Sequence, residues 1–321
     1  MLVNDGAGRR TAILTDFQMT NDLVAELRRA TFPVIYRMVG SVAETEDLIQ
    51  EGLLRFQIAT EKGTPVANTH AFLVSVTTRL AIDHLRSAKH KREVYPGEWL
   101  PEPIVGSGYG QETLEQIEMA ETLSMAFLVL LETLSPLERA VFLLRQVFDY
   151  EYAEIAEVVG KSESNCRQVF SRAKRHVAER RPRFESSKGA RESLAHRFLE
   201  ICRNGTREDL ESLLAVDVEF HGDGGGVASA VLHPVIGSDA VARLMQGIFV
   251  KARQHKIIFV EATVNGQPGL LAKSSAGELI SVISLQIVDG KIQAFHSVVN
   301  PEKLKHLGTI SDLARLPKRQ Q

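Results

Sequence analysis

Between Tyr95 and Gly110 the chain reads YPGEWLPEPIVGSGYG, three prolines and four glycines in one short run. Proline has no amide proton and clashes with the preceding helical turn, and glycine loses the most backbone entropy on ordering. Neither a helix nor a central strand crosses such a stretch, so it divides the chain, and we assign 94–111 as an extended linker. Before it, over 16–93, apolar residues recur at three- and four-residue steps, as in Leu73, Val76 and Leu80, without strand-like alternation. After it, helical periodicity returns over 112–184. There Ser135-Pro136-Leu137-Glu138 predicts a helix start, with Ser at the cap, Pro at the first position and Glu three residues on. The stripe Leu137, Val141, Leu144 and Phe148 follows it.

Beyond 190 the texture changes. Helical stretches at 190–202 and 206–214 precede a strand at 217–221, a helix near 237–252, and strands at 256–264, 269–275, 279–288 and 291–299. Asn265-Gly266 and Asp289-Gly290 are hairpin signals between alternating apolar runs. The expectation for 190–321 is an α+β unit with a curved antiparallel sheet. The 321 residues thus resolve into three folded units, two of them helical. No apolar run approaches the roughly 18 residues of a membrane span. The start, MLVNDGAGRR, has no apolar core after its charges. Two cysteines, Cys166 and Cys202, build neither a disulfide framework nor a thiolate metal site. A cytoplasmic protein is expected, with no metal and no cofactor.

A net charge of −2 would argue against a polyanionic partner if charge were evenly spread. It is not. Residues 79–92 hold Arg79, Arg86, Lys89, Lys91 and Arg92 against Asp83 alone. Residues 93–157 hold thirteen carboxylates against two arginines, and 161–183 hold eight basic residues against two acidic ones. Two basic patches flank an acidic span. In the first patch, Asp83 stands four residues from Arg79 and three from Arg86, so it is placed to pair with both along a helix.

The second patch carries the sharpest motif. Tyr152 to Gly160 followed by KSESNCRQVFSRAKRH reads as a short helix, a glycine turn and a second helix, with Ala156, Gly160 and Ser162 at helix-turn-helix spacing. On the second helix Cys166, Val169, Phe170, Ala173 and Val177 share one face. Ser164, Asn165, Arg167, Gln168, Ser171, Arg172, Lys174 and Arg175 are left facing outward. That set suits a major groove: Arg pairs with guanine, Asn and Gln with adenine, and the remaining cations with phosphates. A basic helix alone would read as a solvated face; the turn spacing favours a DNA reader.

With those residues in view, the chain resembles a bacterial extracytoplasmic-function sigma factor. Asp47-Leu-Ile-Gln-Glu51 resembles the polymerase-clamp-binding helix, Asp83-His-Leu-Arg86 the helix that opens the −10 promoter element, and LSPLERAVFLL with the helix-turn-helix the domain that reads the −35 element. WLPEP, HGDGGG and NPEKL are similar to the subgroup with a C-terminal SnoaL-like (NTF2-like) extension. The resemblance implies two all-α sigma domains followed by an α+β, NTF2-like cone. It also implies core RNA polymerase (the clamp helices of the largest subunit, and the flap) and promoter DNA as partners. The extension would act in cis, with no separate anti-sigma factor and no membrane anchor, on a chain that is monomeric when free. Asp47, Gln50, Glu51 and Leu54 would dock on polymerase, while Ile49, Leu53 and Phe56 share the other face of the helix. Thr77, Thr78, Arg79, His84, Arg86, Lys89 and Arg92 are the polar candidates for the −10 element. Arg79 departs from the pattern, where many relatives carry Asn.

For the extension, Trp99, Leu100 and Pro101 are expected to form a docking strip, with Asp223, Gly224, Gly225 and Gly226 in a tight loop against it. Asn300, Pro301, Lys303 and Leu304 begin a terminal segment able to cover the linker. His221 and Asp223, with His233 and His296, leave a second reading open: a helix-turn-helix regulator fused to a SnoaL-like enzyme or sensor.

Overall fold

The computed structural model describes residues 21–106, 122–178 and 188–314. Positions 16–20, 107–121 and 179–187, which fall within or beside the expected units, lie outside the described residues. The first unit is a bundle of α1 (Asn21–Val39), α2 (Val42–Glu61) and α3 (Thr69–Glu93). Helices α2 and α3 meet at Gly52, where a Cβ would strike the Thr77 side chain. The second is α4 (Met125–Leu131), α5 (Pro136–Gln146), α6 (Tyr152–Val159) and α7 (Glu163–Ala178). The expected start of α5 is a full capping box: the Glu138 N–H donates to Ser135 Oγ at 3.4 Å, and the Glu138 carboxylate accepts from the Ser135 N–H at 3.1 Å.

The two helical units are not independent in this structure. A single apolar cluster runs from Ile35 and Leu73 in the first through Leu131 and Leu143 to Ile155 and Cys166 in the second. Two arginines lash them further. Arg139, almost fully buried, donates to the Met38 carbonyl at the end of α1 at 2.6 Å and pairs with Glu132 at 2.7 Å. Arg79 Nε donates to the Val158 carbonyl at 2.7 Å, and its Nη2 reaches the Glu157 carbonyl, both at the end of α6. Each guanidinium therefore satisfies carbonyls that a helix C-terminus leaves without partners.

The third unit carries α8 (Lys188–Asn204), α9 (Arg207–Leu213), β1 (Leu214–Asp223), β2 (Val235–Ile236), α10 (Ser238–Gln254), β3 (Ile258–Val264), β4 (Gln267–Lys273), β5 (Leu279–Val288), β6 (Lys291–Val298) and the short α11 (Pro301–Leu304). The strand order is β2-β1-β6-β5-β4-β3. The hairpins turn where expected, with positive φ at both residues of Asn265-Gly266 and Asp289-Gly290. Two corrections arise. The sheet is mixed, because β1 lies parallel to β6 in place of the antiparallel partner expected. The two-residue β2 is too short to show a period in sequence.

This is an α+β arrangement whose sheet is covered on both faces. Inside, Phe198, Phe220, Phe249 and Phe295 pack ring against ring at centroid separations of 5.3 to 6.3 Å. Outside, Leu100 of the linker and Met125 of α4 sit on Val264, Val282, Val298 and Leu304. Among the described residues, no helix is long and apolar enough to cross a membrane.

Candidate polymerase and nucleic-acid interface

Helix α2 separates its faces as its period requires. Ile49, Leu53 and Phe56 are buried, while Asp47, Gln50 and Leu54 are exposed and Glu51 is half-exposed, paired with Arg55 at 2.8 Å. Leu54 and Ile58, both substantially exposed, add apolar area to the acidic stripe. An acidic ridge with an apolar centre is the complement of a basic helical partner.

On α3 the structure sorts the expected −10 residues unevenly. Thr77 and Thr78 are fully buried, a correction to their placement among open polar groups. The Thr77 hydroxyl bonds back to the Leu73 carbonyl at 2.7 Å, and both threonines pack inside the bundle. Asp83 pairs with Arg86 at 3.1 Å, while the Arg79 guanidinium turns away to α6, so the expected double pairing becomes a single one. His84 is half-buried, 3.1 Å from the Glu44 carboxylate. Arg86 is exposed; the side chains of Lys89 and Arg92 lie outside the described residues.

The helix-turn-helix is built as its spacing predicts. Gly160 ends α6 in the left-handed region at φ 66°, and Ser162 Oγ accepts from the Asn165 N–H at 3.2 Å to start α7. Cys166, Val169, Ala173 and Val177 are buried and Phe170 half-buried. Ser164, Asn165, Arg167, Gln168, Ser171, Arg172, Lys174 and Arg175 are all exposed. Arg167 lies over the Tyr152 ring at 4.5 Å and pairs with Glu163 at 2.9 Å, which orients it toward the N-terminal half of the face.

The linker and the C-terminal unit meet around one carboxylate. Asp223 is fully buried, and its Oδ1 accepts from the Tyr95 hydroxyl at 2.6 Å and the Gly225 N–H at 3.0 Å. Its Oδ2 accepts from the Leu100 N–H at 2.8 Å and from Lys303 Nζ at 2.6 Å. Lys303 also donates to the Leu100 carbonyl and lies 4.0 Å from the Trp99 ring centroid. Asn300 donates to Tyr95 at 2.8 Å and accepts from the Glu302 N–H at 3.0 Å, capping α11 in front of Pro301. The glycines are explained by this crowding: Gly225 and Gly226 have positive φ, and side chains on them would strike Asn300 and Pro96, respectively, while one on Gly224 would meet the Ala228 carbonyl. Burial and then the neighbouring Asp223 push the Tyr95 hydroxyl pKa far up, so it stays a donor.

Tyr95, Glu102, Tyr36 and Asn265 were absent from the expected set. Glu102 holds the start of α2, with its Oε2 2.7 Å from the Val42 nitrogen. Asn265 accepts from the Ile104 N–H at 2.9 Å and donates to Tyr36 at 2.8 Å and to the Leu123 carbonyl at 3.1 Å. Glu102 lies inside the WLPEP strip and was open to notice; for Asn265 the only local signal was a turn.

The residues that suggested an enzyme are engaged elsewhere or exposed. Asp223 is consumed by the linker, His233 is exposed, and His221 and His296 stack at 5.1 Å with only 7° between their planes. His221 bridges Glu98 of the linker at 3.0 Å and Glu219 at 2.8 Å. Burial opposes its charge, but the bonds to Glu98 and Glu219 outweigh that and hold its pKa above the ordinary value. Burial, aided by His221, drives His296 down to about 3 and keeps it neutral. A raised folded pKa gives stability that is complete below the unfolded value of about 6.5 and is lost as pH rises through the folded one. The Glu98 attachment is therefore expected to loosen as pH rises through that raised value. Trp99, the single tryptophan, reports it: its emission should shift to the red with rising pH, and His221→Gln should abolish the pH dependence.

Comparison with known proteins fits this geometry. Residues 23–91 match the family described as Sigma-70 region 2, and residues 124–177 match Sigma-70, region 4. The chain belongs to the extracytoplasmic-function (ECF) RNA polymerase sigma factors. It is 35% identical over 287 residues to ECF RNA polymerase sigma factor SigJ of Mycobacterium tuberculosis, across 86% of this chain and 90% of that protein. It is 31% identical over 282 residues to the same species' Probable ECF RNA polymerase sigma factor SigI, across 85% of this chain and 90% of that one. The crystal structure of Mycobacterium tuberculosis SigJ matches with a TM-score of 0.70 at 31% identity, covering 88% of this chain and 97% of that one. As a sigma factor the chain binds core RNA polymerase and promoter DNA, and it is not an enzyme.

Proposed function

We propose that the C-terminal unit regulates this sigma factor in cis, by bracing its polymerase- and promoter-contacting helices in a closed arrangement. In this reading Asp47, Gln50, Glu51 and Leu54 dock on the clamp helices of the polymerase largest subunit. Arg79, His84, Arg86, Lys89 and Arg92 serve the −10 element, and the exposed face of α7 the −35 element, with the flap as a further polymerase contact. The observation that carries the reading is the Arg79 bond to the end of α6, which joins the −10 helix directly to the helix-turn-helix. The two promoter elements are by their names about 25 base pairs apart, about 85 Å along the duplex at ~3.4 Å per pair. Helices in contact do not span that distance, so the units separate before both elements are read together.

The C-terminal unit supports the closed state from both sides. Asn265 reaches Tyr36 of α1 and the Leu123 carbonyl ahead of α4, and Met125 packs on the outer face of the sheet. A brace carried on the same chain fits a free monomer that needs no separate anti-sigma protein. The test is transcription from a cognate promoter with saturating core polymerase, comparing the full chain with one truncated after Asn300. Truncation removes Lys303 and Leu304, and a higher yield is expected; an unchanged yield from a chain whose helical units remain folded sinks the cis role.

A further inference from the structure

Helix α2 is completed by a residue from outside its own unit. We propose that Glu102 is a positioning residue for α2, and that the Asp223 cluster decides whether it is in place. The proposal rests on the docking role given to α2 above. The first N–H groups of a helix lack intrahelical partners, and its N-terminus carries partial positive charge. Here Ser41 Oγ accepts the Glu44 N–H at 3.2 Å, but no α2 side chain takes those of Val42 and Ala43. They donate to Glu102 Oε2 at 2.7 and 3.3 Å, and the Ser41 hydroxyl donates to Glu102 Oε1 at 2.8 Å. The Glu102 backbone is pinned as well: its N–H donates to the Gly40 carbonyl at 2.8 Å, and its carbonyl accepts from the Tyr36 hydroxyl at 2.6 Å. Asp47, Gln50 and Leu54 begin one turn beyond this cap.

The coupling lies in the spacing of WLPEP. Leu100 is held at both backbone groups, by Asp223 and by Lys303, only two residues before Glu102. Two residues of extended chain span about 7 Å, which leaves no slack between the anchors. Pro101 and Pro103 fix φ on either side of Glu102 and bias the residues before them to extended backbone, so the segment behaves as a stiff rod. Trp99 closes the seat: Gly40 has φ 71°, and a Cβ there would lie 2.8 Å from the Trp99 ring. Lifting Leu100 from the C-terminal unit therefore draws Glu102 off α2. The same unit that holds the DNA-reading helices closed thus also keeps the docking helix formed, and the two effects act in opposite directions on initiation.

The experiment uses the full chain with core polymerase. Glu102→Ala is expected to weaken core binding about five- to tenfold, as loss of a helix N-cap does. Glu102→Gln should fall between, since the amide oxygen still accepts while the charge at the helix end is gone. Hydrogen exchange at the amides of 42–45 should quicken in both. In Asp223→Asn/Lys303→Met the same amides should lose protection, and adding Glu102→Ala should then change core affinity by about twofold or less. Unchanged exchange at 42–45 in that variant, or an equally large Glu102→Ala effect with and without it, overturns the proposal. Asp47→Ala separates the underlying reading: unchanged core affinity there sinks docking through α2, while the exchange data still decide the cap.

Discussion

Asp223→Ala is expected to destabilise the C-terminal unit by about 3–5 kcal/mol, the usual consequence of removing one partner of a buried ion pair. Two mechanisms add. Lys303 is left buried without its carboxylate, though it still donates to the Leu100 carbonyl. The Tyr95 hydroxyl and the N–H groups of Leu100 and Gly225 lose their shared acceptor together. Because the linker is fastened by the same carboxylate, Trp99 should become solvent-exposed before the unit unfolds. Denaturant unfolding followed by Trp99 emission measures both events. Lys303→Met in the Asp223→Ala background should recover part of the loss, since an apolar side chain of similar length needs no counter-ion. A cost below about 1 kcal/mol would show that water replaces the carboxylate and that the cluster is not what holds the linker.

The second large effect concerns the closed helical pair. Arg79→Ala with Arg139→Met should favour separation of the two helical units by about 3 kcal/mol, a roughly hundredfold change in the open-to-closed ratio. Most of this belongs to Arg139, whose bond to the Met38 carbonyl crosses between the two units and is shielded from water. Arg79 is exposed, and its share is discounted for solvent to about 1 kcal/mol or less. Arg79 reaches two helix C-terminal carbonyls through separate nitrogens, so lysine would replace it poorly, lacking the planar fork. Dyes attached at the exposed positions Ser87 on α3 and Ala178 at the end of α7 give the distance directly. A transfer efficiency unchanged by the double substitution would mean that the shared apolar cluster, not the arginines, sets the closed state.

Much of the exposed face of α7 was legible in the sequence alone. The spacing of Cys166, Val169, Ala173 and Val177 defines a buried stripe within one helix, and the outward set follows by exclusion. The box at Ser135 and Glu138, the left-handed Gly160 and the hairpins at Asn265 and Asp289 are equally local. On α3 the same reasoning reached its limit. Thr77 and Thr78 are polar by type yet lie inside, because α2 approaches at Gly52 and their hydroxyls are small enough to be enclosed. Arg79 looked like a partner for Asp83 at helical spacing, but carbonyls at the end of a distant helix offer better geometry than an exposed carboxylate. The sheet was read as antiparallel because its hairpin turns relate only β3 to β4 and β5 to β6. The pairing of β1 with β6 spans the whole unit and leaves no turn signal.

The Pro- and Gly-rich run that divides the chain shows the boundary most clearly. By itself the sequence determined that no helix crosses the described part of this run, 95–106, that helices lie on both sides of it, and which residues of α2 and α7 face outward. Those outcomes depend on steric rules and periods acting over four residues or fewer. Only the tertiary structure decided that the run is a strap: Glu102 caps a helix 60 residues upstream, Leu100 is fixed to Asp223, and Asn265 meets Tyr36 across 229 positions. A buried polar group must find partners wherever the fold brings them, and for Asp223, Glu102 and Asn265 those partners are distant in sequence, so no local pattern announces them.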